Sequence, residues 1–290
     1  MRLSFPSIIA IFALLAGALA CGERGETKEY ALHGQVLDVA ANRKQATIKH
    51  DDIQGFMPAM TMPYMVRDAT QLDGITAGDL IDATLVVVSN DAYLKDVKKT
   101  GQAPLAPPTV DVQKTFSGAD LLKEGQPVPN TTFLDQDGKT RDLQSFTGSA
   151  LVLTFIYTKC PMPTFCPLMD RNFVALQEKV KADPALRVHL VTVTFDPDTD
   201  TPPVLKRHAK TLGADGRVWT FLTGKPQEIA AFATKFGVSV MRAMNDQRDI
   251  THNLRTALID RSGNLVKVYT GNEWTPDQVM ADIKVLVGVD

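Results

Sequence analysis

The chain has 290 residues, 44% of them hydrophobic and 22% charged, with 33 acidic side chains against 31 Lys and Arg, and three cysteines. That apolar content supports one large or two modest globular domains and excludes both a disordered chain and a disulfide-rich miniprotein. A formal charge of -2, with no Lys/Arg block, removes the electrostatic case for nucleic-acid binding.

The first element is an export signal. Arg2 gives a short positive start and Ile8 to Leu19 is almost wholly apolar. That run is too short for a spanning helix, which needs ~20 apolar residues, but suits a secretory signal. It ends Ala18-Leu19-Ala20-Cys21, an A-x-A cleavage pattern that also resembles a bacterial lipobox. The resemblance implies that residues 1–20 are removed and that Cys21 becomes a lipidated N-terminus holding the protein to a membrane. The alternative is a trimmed, free Cys21. Either way the mature chain works in the periplasm or another extracytoplasmic space, where thiols can oxidise. No other segment is long and apolar enough to span a bilayer.

Gly22 to Lys28 reads as a polar tether. Strand-like runs follow at Ala31–Val39, Ala46–His50, Leu80–Ser89 and Tyr93–Val97, with turn signals at Ala41-Asn42-Arg43 and Ala77-Gly78-Asp79. Short strands over residues 29–99 predict a small closed β-barrel, OB-like in class, because closure removes exposed edges. Residues 100–118 carry Pro104, Pro107 and Pro108 and read as a linker. From residue 119 to 290 the pattern alternates. Ala150–Tyr157, Val188–Phe195, Val218–Leu222, Leu254–Asp260 and Leu265–Thr270 read as strands. Helices are predicted after the cysteine loop, at Val204–Leu212, at Gln227–Phe236 and at Pro276–Leu286. Such alternation means an α/β layer fold.

The segment Gly55-Phe56-Met57-Pro58-Ala59-Met60-Thr61-Met62-Pro63 holds three of the ten methionines. Met60 and Met62 are two apart, so on extended backbone both thioethers leave one face. His50 ends the preceding strand. Soft thioethers select Cu(I), and imidazole accepts copper readily. Methionines also fill irregular cores, and chemistry alone leaves both readings open. Here Tyr30 to about Val97 resembles the periplasmic copper- and silver-binding domain of the CusF type, which has a strand-ending His and a W-P-x-M-T-M segment. The resemblance implies that His50, Met60 and Met62 are Cu(I) ligands. Met57 stands where that family has a metal-capping Trp, which removes a cation–π contact and offers a third sulfur.

After Ala150–Tyr157 comes Thr158-Lys159-Cys160-Pro161-Met162-Pro163-Thr164-Phe165-Cys166-Pro167, leading into a helix. A thiolate near a helix N-terminus is stabilised by the dipole and the free N–H groups. Two such thiols can form a disulfide or chelate a soft metal. A structural staple is disfavoured because closing so short a loop removes little chain entropy. Met162 reads as an exposed apolar residue, with a soft-donor role as the alternative.

This placement resembles the SCO/SenC family, thioredoxin-like proteins that handle copper during assembly of the binuclear copper centre of cytochrome oxidase. The matching features are Thr158-Lys159-Cys160-Pro161, Cys166-Pro167-Leu168-Met169, the segment Asp196-Pro197-Asp198-Thr199-Asp200-Thr201-Pro202, and a His before the penultimate strand. The resemblance implies that Cys160, Cys166 and His252 bind copper and that Asp196 supports the site. The spacing is C-x5-C, where the family usually has C-x3-C.

The expected protein therefore has two domains, a small all-β barrel followed by a thioredoxin-like fold. Its expected cargo is Cu(I), with Cu(II) a second state at the thiolate site. The resemblance implies a metallochaperone whose partner is the copper subunit of the oxidase or another periplasmic copper protein. The competing classes are a thiol–disulfide oxidoreductase, with Cys160 and Cys166 as its redox pair, and a copper-buffering or resistance protein. Plain thioredoxins carry C-x-x-C, which this chain lacks.

Overall fold

The computed structural model describes residues 27–105, 121–243 and 246–288. The signal at residues 1–20, Cys21 and most of the linker lie outside the described residues. The N-terminal strands are β1 (Lys28–Val39), β2 (Gln45–His50), β3 (Met60–Met65), β4 (Asp79–Val88) and β5 (Asp91–Gln102). They form one antiparallel sheet in the order β3-β2-β1-β4-β5. Burial alternates with the two-residue period of a strand. Ala46, Ile48 and His50 of β2 face inward, as do Met60, Met62 and Tyr64 of β3. Leu32, Val36, Ile81, Leu85 and Leu94 fill the same interior.

The sheet is all-β as expected, but its ladder does not close into a barrel. β3 and β5 meet at a single parallel bridge, Val66 to Leu94, beyond the end of β3. β3 is only six residues long and contains Pro63, which has no N–H to give a further neighbour. It therefore remains an edge strand.

Gly34 sets how closely β1 and β2 pass. It lies opposite His50 in the ladder. A side chain there would put its Cβ 2.6 Å from the Lys49 carbonyl oxygen and 2.8 Å from the His50 Cα. Both are backbone atoms that cannot swing aside.

The second half contains β6 (Phe133–Asp135), β7 (Thr140–Arg141), β8 (Ala150–Ile156), α1 (Cys166–Ala182), β9 (Val188–Thr194), α2 (Pro202–Thr211), β10 (Trp219–Thr223) and α3 (Pro226–Lys235). It continues with β11 (Val240–Ala243), β12 (Asp246–His252), β13 (Arg255–Ile259), β14 (Leu265–Thr270) and α4 (Pro276–Val287). Seven strands make one sheet in the order β14-β13-β8-β9-β10-β6-β7. β8 is an interior strand between β13 and β9, and all seven of its residues are buried, as its unbroken apolar run requires. β8, β9 and β10 are parallel, with α1 and α2 as the crossovers. β8 and β9 consequently leave the sheet at the same end. In open α/β sheets that carboxyl end is where ligand sites form.

β11 and β12 are a separate hairpin that the sequence pattern did not reveal. Its register shifts between Arg242 and Ala243, and the run Asp246-Gln247-Arg248-Asp249 is wholly polar, so no apolar alternation marks it as a strand in the sequence. β12 also lies against β3, with Cα atoms of the two strands within 8 Å. The hairpin thus joins the two sheets.

Gly34→Val should drive β2 away from β1 at His50. Overpacking of this kind costs about 1–3 kcal/mol. Urea unfolding should show that loss, and metal retention by the N-terminal sheet should fall with it. Unchanged stability would mean that the strands part without cost at this point.

Candidate metal centres

The first cluster forms at the carboxyl end of β8. Cys160 sits in the connecting loop and Cys166 is the first residue of α1. His252 is the last residue of β12. The two Sγ atoms and the imidazole donor lie within 4.8 Å of one another. Both thiols are free, and Cys166 Sγ is 3.9 Å from His252 Nε2. Hence the five-residue spacer still brings the sulfurs together. Exposure is 9% for Cys160, 1% for Cys166 and 8% for His252, so all three donors are buried.

The loop is held by its carbonyls. Arg171 donates to the Pro163 oxygen at 2.9 Å, and the Asn272 amide donates to the Thr164 oxygen at 3.0 Å. Phe165 N–H donates to the Met162 carbonyl at 3.1 Å. This curl turns Met162 inward, so it is 2% exposed and not the exposed apolar residue expected. Phe165 at the helix N-cap makes no side-chain cap, but its carbonyl accepts the Leu168 N–H at 2.9 Å. Pro167 has no N–H, so in the first turn of α1 it is the Cys166 N–H that bonds the Cys160 sulfur and favours its negative form.

Asp200 fixes the entrance to the loop. It has no exposure, and its carboxylate accepts the Thr158 N–H at 3.0 Å, the Thr158 hydroxyl, and the Thr194 hydroxyl at 2.6 Å. One carboxylate thereby ties the exits of β8 and β9 together two residues before Cys160. Asp196 is buried beside this knot. Its N–H donates to Thr194 Oγ1, and its carbonyl accepts the Asp200 N–H.

The His252 ring is enclosed by three aromatic rings. Phe195 lies 4.7 Å away, Tyr157 5.5 Å and Phe165 5.8 Å between centroids, the last two edge to face. Its Nδ1 is 3.2 Å from the Asn253 carbonyl, which takes the ring proton and turns the Nε2 lone pair toward the sulfurs. Burial pushes both thiols up. At Cys160 hydrogen bonds with Cys166 and His252 overcome that effect and hold it well below the ordinary thiol value. Cys166 is pushed well above by its burial and by the adjacent Cys160 sulfur. The pair therefore gives up one proton easily and the second reluctantly. The Tyr157 phenol, hydrogen-bonded to Cys160, is kept protonated by burial and by both neighbouring sulfurs.

The second cluster is in the N-terminal sheet. His50 faces Met60 directly across the β2–β3 ladder, and Met62 follows on the same face. All three are buried. His50 Nδ1 is 2.7 Å from the Asp51 carbonyl, while its Nε2 is buried without a hydrogen-bond partner. Burial lowers the pKa of this imidazole against the opposing pull of the Asp51 carbonyl, so the ring favours its neutral form. A neutral, orphaned nitrogen beside two thioethers is the donor set that soft monovalent copper requires. Met57 joins them. Its Sδ accepts the Tyr64 hydroxyl at 4.0 Å, and the Tyr64 ring meets His50 edge to face at 5.6 Å.

Sequence reasoning missed Tyr64, Tyr157, Asp200 and Gly34 as contributors. Tyr64 continues the two-residue spacing of Met60 and Met62, which is the signal that could have found it. Asp200 stands in the quoted Asp-Pro segment, but nothing in that segment says which aspartate turns inward.

Asp200→Ala should strand the Thr158 N–H and two hydroxyls in the interior, at about 1–3 kcal/mol for each group left unsatisfied. Copper affinity at the cysteine cluster should fall with stability, while the methionine cluster keeps its metal. Tyr64→Phe should cost about 0.5–1.5 kcal/mol, the net worth of a typical hydrogen bond, and weaken copper at the methionine cluster alone. Competition with a chromogenic Cu(I) chelator reads both effects.

Residues 123–288 match the family model described as SCO1/SenC, and residues 29–99 match that of the copper binding periplasmic protein CusF. The SCO1 protein homolog of Bacillus subtilis is 34% identical over 155 residues, covering 53% of this chain and 79% of that protein. A putative copper-binding protein of Stutzerimonas stutzeri is 25% identical over 147 residues, covering 50% of this chain and 70% of its own. The crystal structure of a SCO1/SenC family lipoprotein from Bacillus anthracis superposes with a TM-score of 0.51 at 30% identity, covering 58% of this chain and 99% of that one. That match gives the second half its thioredoxin-like fold. The chain belongs to the SCO1/SenC family and carries a CusF-like copper-binding domain ahead of that fold.

Proposed function

We propose that the protein is an exported copper metallochaperone with two copper sites, acting in the periplasm from a lipid anchor at Cys21. The observation that carries this reading is the convergence of Cys160, Cys166 and His252 within 4.8 Å, with the imidazole Nε2 turned toward the sulfurs. Copper is the cargo. Cys160 and Cys166 supply thiolates, and His252 supplies its Nε2, held by the aromatic enclosure of the ring. Asp196 braces the loop that presents Phe195 to that ring. Residues 29–99 form the capture domain, with His50, Met57, Met60 and Met62 around Cu(I). Residues 119–290 form the delivery domain, reached through the linker at 100–118. The acceptor is the binuclear copper centre of cytochrome oxidase.

A second reading, thiol–disulfide exchange, is favoured by the unequal acidity of the two sulfurs. A readily formed Cys160 thiolate beside a protonated partner suits attack on a target disulfide. The two readings separate by stoichiometry. The full mature chain should hold two Cu(I) when reduced and one after mild thiol oxidation, because a Cys160–Cys166 disulfide removes two donors while thioethers and imidazole are untouched. Cys160→Ser, Cys166→Ser and His252→Ala should each release the oxidation-sensitive copper. Met60→Ala or Met62→Ala should release the other. Delivery requires that the loaded chain metallate a copper-free oxidase copper subunit. Reduction of that subunit's cysteines without metal transfer would give the oxidoreductase reading the better claim. Intact mass tests the anchor: a mature N-terminus at Cys21 without acyl chains would remove it.

A further inference from the structure

The two donor sets stand on different sheets, yet one element touches both. β3 carries Met60 and Met62, with His50 opposite. β12 lies against β3 and ends in His252. The cysteine cluster takes its sulfurs from the connection between β8 and α1, and only its imidazole arrives on the hairpin. The donor that completes one cluster therefore rides on the strand that touches the other. No point of a seven-residue strand lies farther than about 20 Å from its last residue. β3 is the edge strand of its sheet, and β12 belongs to a two-stranded sheet of its own. No ladder joins them among the described residues, so they can part without breaking a sheet.

We propose that the β11–β12 hairpin is a docking element that seats the cysteine cluster against the methionine strand, so that Cu(I) passes between them within one chain. This rests on reading both clusters as copper sites. In the step, the bonds from copper to the Met60 and Met62 sulfurs and to His50 Nε2 break. Bonds to the Cys160 and Cys166 sulfurs and to His252 Nε2 form. Any thiol proton displaced goes to solvent, and no electron moves, because copper stays Cu(I) throughout. The direction is set by donor strength, since anionic thiolates hold Cu(I) more tightly than neutral thioethers. A linker alone would raise the local concentration of one site around the other without orienting them. The hairpin supplies the orientation, and its histidine belongs to the receiving set.

The test uses the full mature chain with methyl-labelled methionines, its thiols reduced and its methionine site empty. One equivalent of Cu(II) goes to thiolate and imidazole donors in preference to thioethers. Its paramagnetism should broaden the methyl signal of Met169, which lies one turn along α1 from Cys166 and serves as the internal reference. It should also broaden the signals of Met60 and Met62, equally at high and low protein concentration. Both effects should vanish in Cys160→Ser/Cys166→Ser. Broadening at Met169 with sharp signals at Met60 and Met62 would overturn the docking while leaving both copper sites intact. Thiol titration after the addition checks that Cu(II) has not oxidised the pair and become diamagnetic Cu(I), in which case the kinetic arm below decides. A Met169 signal that never responds while both thiols still titrate would remove the copper reading of the cysteine cluster. A kinetic arm follows the handover. Cu(I) placed on the methionine site of the disulfide form should appear on the thiolates after reduction at a rate independent of protein concentration. A rate rising in proportion to concentration means transfer between molecules and overturns the proposal.

Discussion

The Asp200 carboxylate holds together the part of the fold on which the chemistry depends. Parallel strands bring β8 and β9 out at the same end, but a shared end does not by itself fix two loops to each other. Asp200 does so by accepting from Thr158 on one side and Thr194 on the other while wholly buried. A buried carboxylate is tolerable only when its oxygens are occupied, and these are. Since Cys160 follows Thr158 by two residues and Phe195 follows Thr194 by one, the knot sets a sulfur and the ring against His252 at once. The long cysteine spacer can then vary in the middle, because its start is tied to Asp200 and its end is the first turn of α1.

Both candidate copper histidines are prepared in the same way. His50 and His252 each direct Nδ1 at the backbone carbonyl of the next residue, which leaves Nε2 as the donor. Each is also wedged by aromatic edges, Tyr64 in one case and Tyr157 with Phe165 in the other. The convergence has a simple cause. A buried imidazole must place its ring proton somewhere, and the nearest acceptor after a strand end is the following carbonyl, no longer taken up by the ladder. Ending a strand on histidine is thus a compact way to fix a tautomer.

Much of this was legible in the sequence. The α/β alternation, the buried apolar strand β8 and the Cys-Pro helix entry each have a local signature, and the structure places them where the pattern does. The first sheet was legible strand by strand, but its closure was not. Whether β3 completes a ladder with β5 depends on strand length and on Pro63 at an edge, which periodicity does not measure. The β11–β12 hairpin escaped because β12 opens on four polar residues, Asp246 to Asp249, which carry no apolar alternation. His252 was found only through resemblance, since a histidine at the end of an unrecognised strand carries no pattern of its own. Met162 was misjudged for a related reason. Two prolines suggest an exposed loop, whereas Arg171 and Asn272 draw the loop's carbonyls inward and take the methionine with them.

The donor chemistry of the two clusters makes their order along the chain meaningful. Outside the cytoplasm thiols are at risk of oxidation, while thioethers form no disulfides. A site built from Met60, Met62 and His50 therefore keeps its donors whenever Cys160 and Cys166 are joined. It is also the weaker site, because neutral sulfur donates less than thiolate. Weak and persistent is the combination a store needs, and strong but redox-gated is the combination a delivery site needs. Under the proposed function, placing both on one chain lets the thiol state decide where copper rests. The hairpin adds the physical link, since its terminal histidine is counted in the gated set while its backbone lies on the persistent one. In the proposed handover, copper leaves the methionine cluster for a cluster whose cysteines are already reduced.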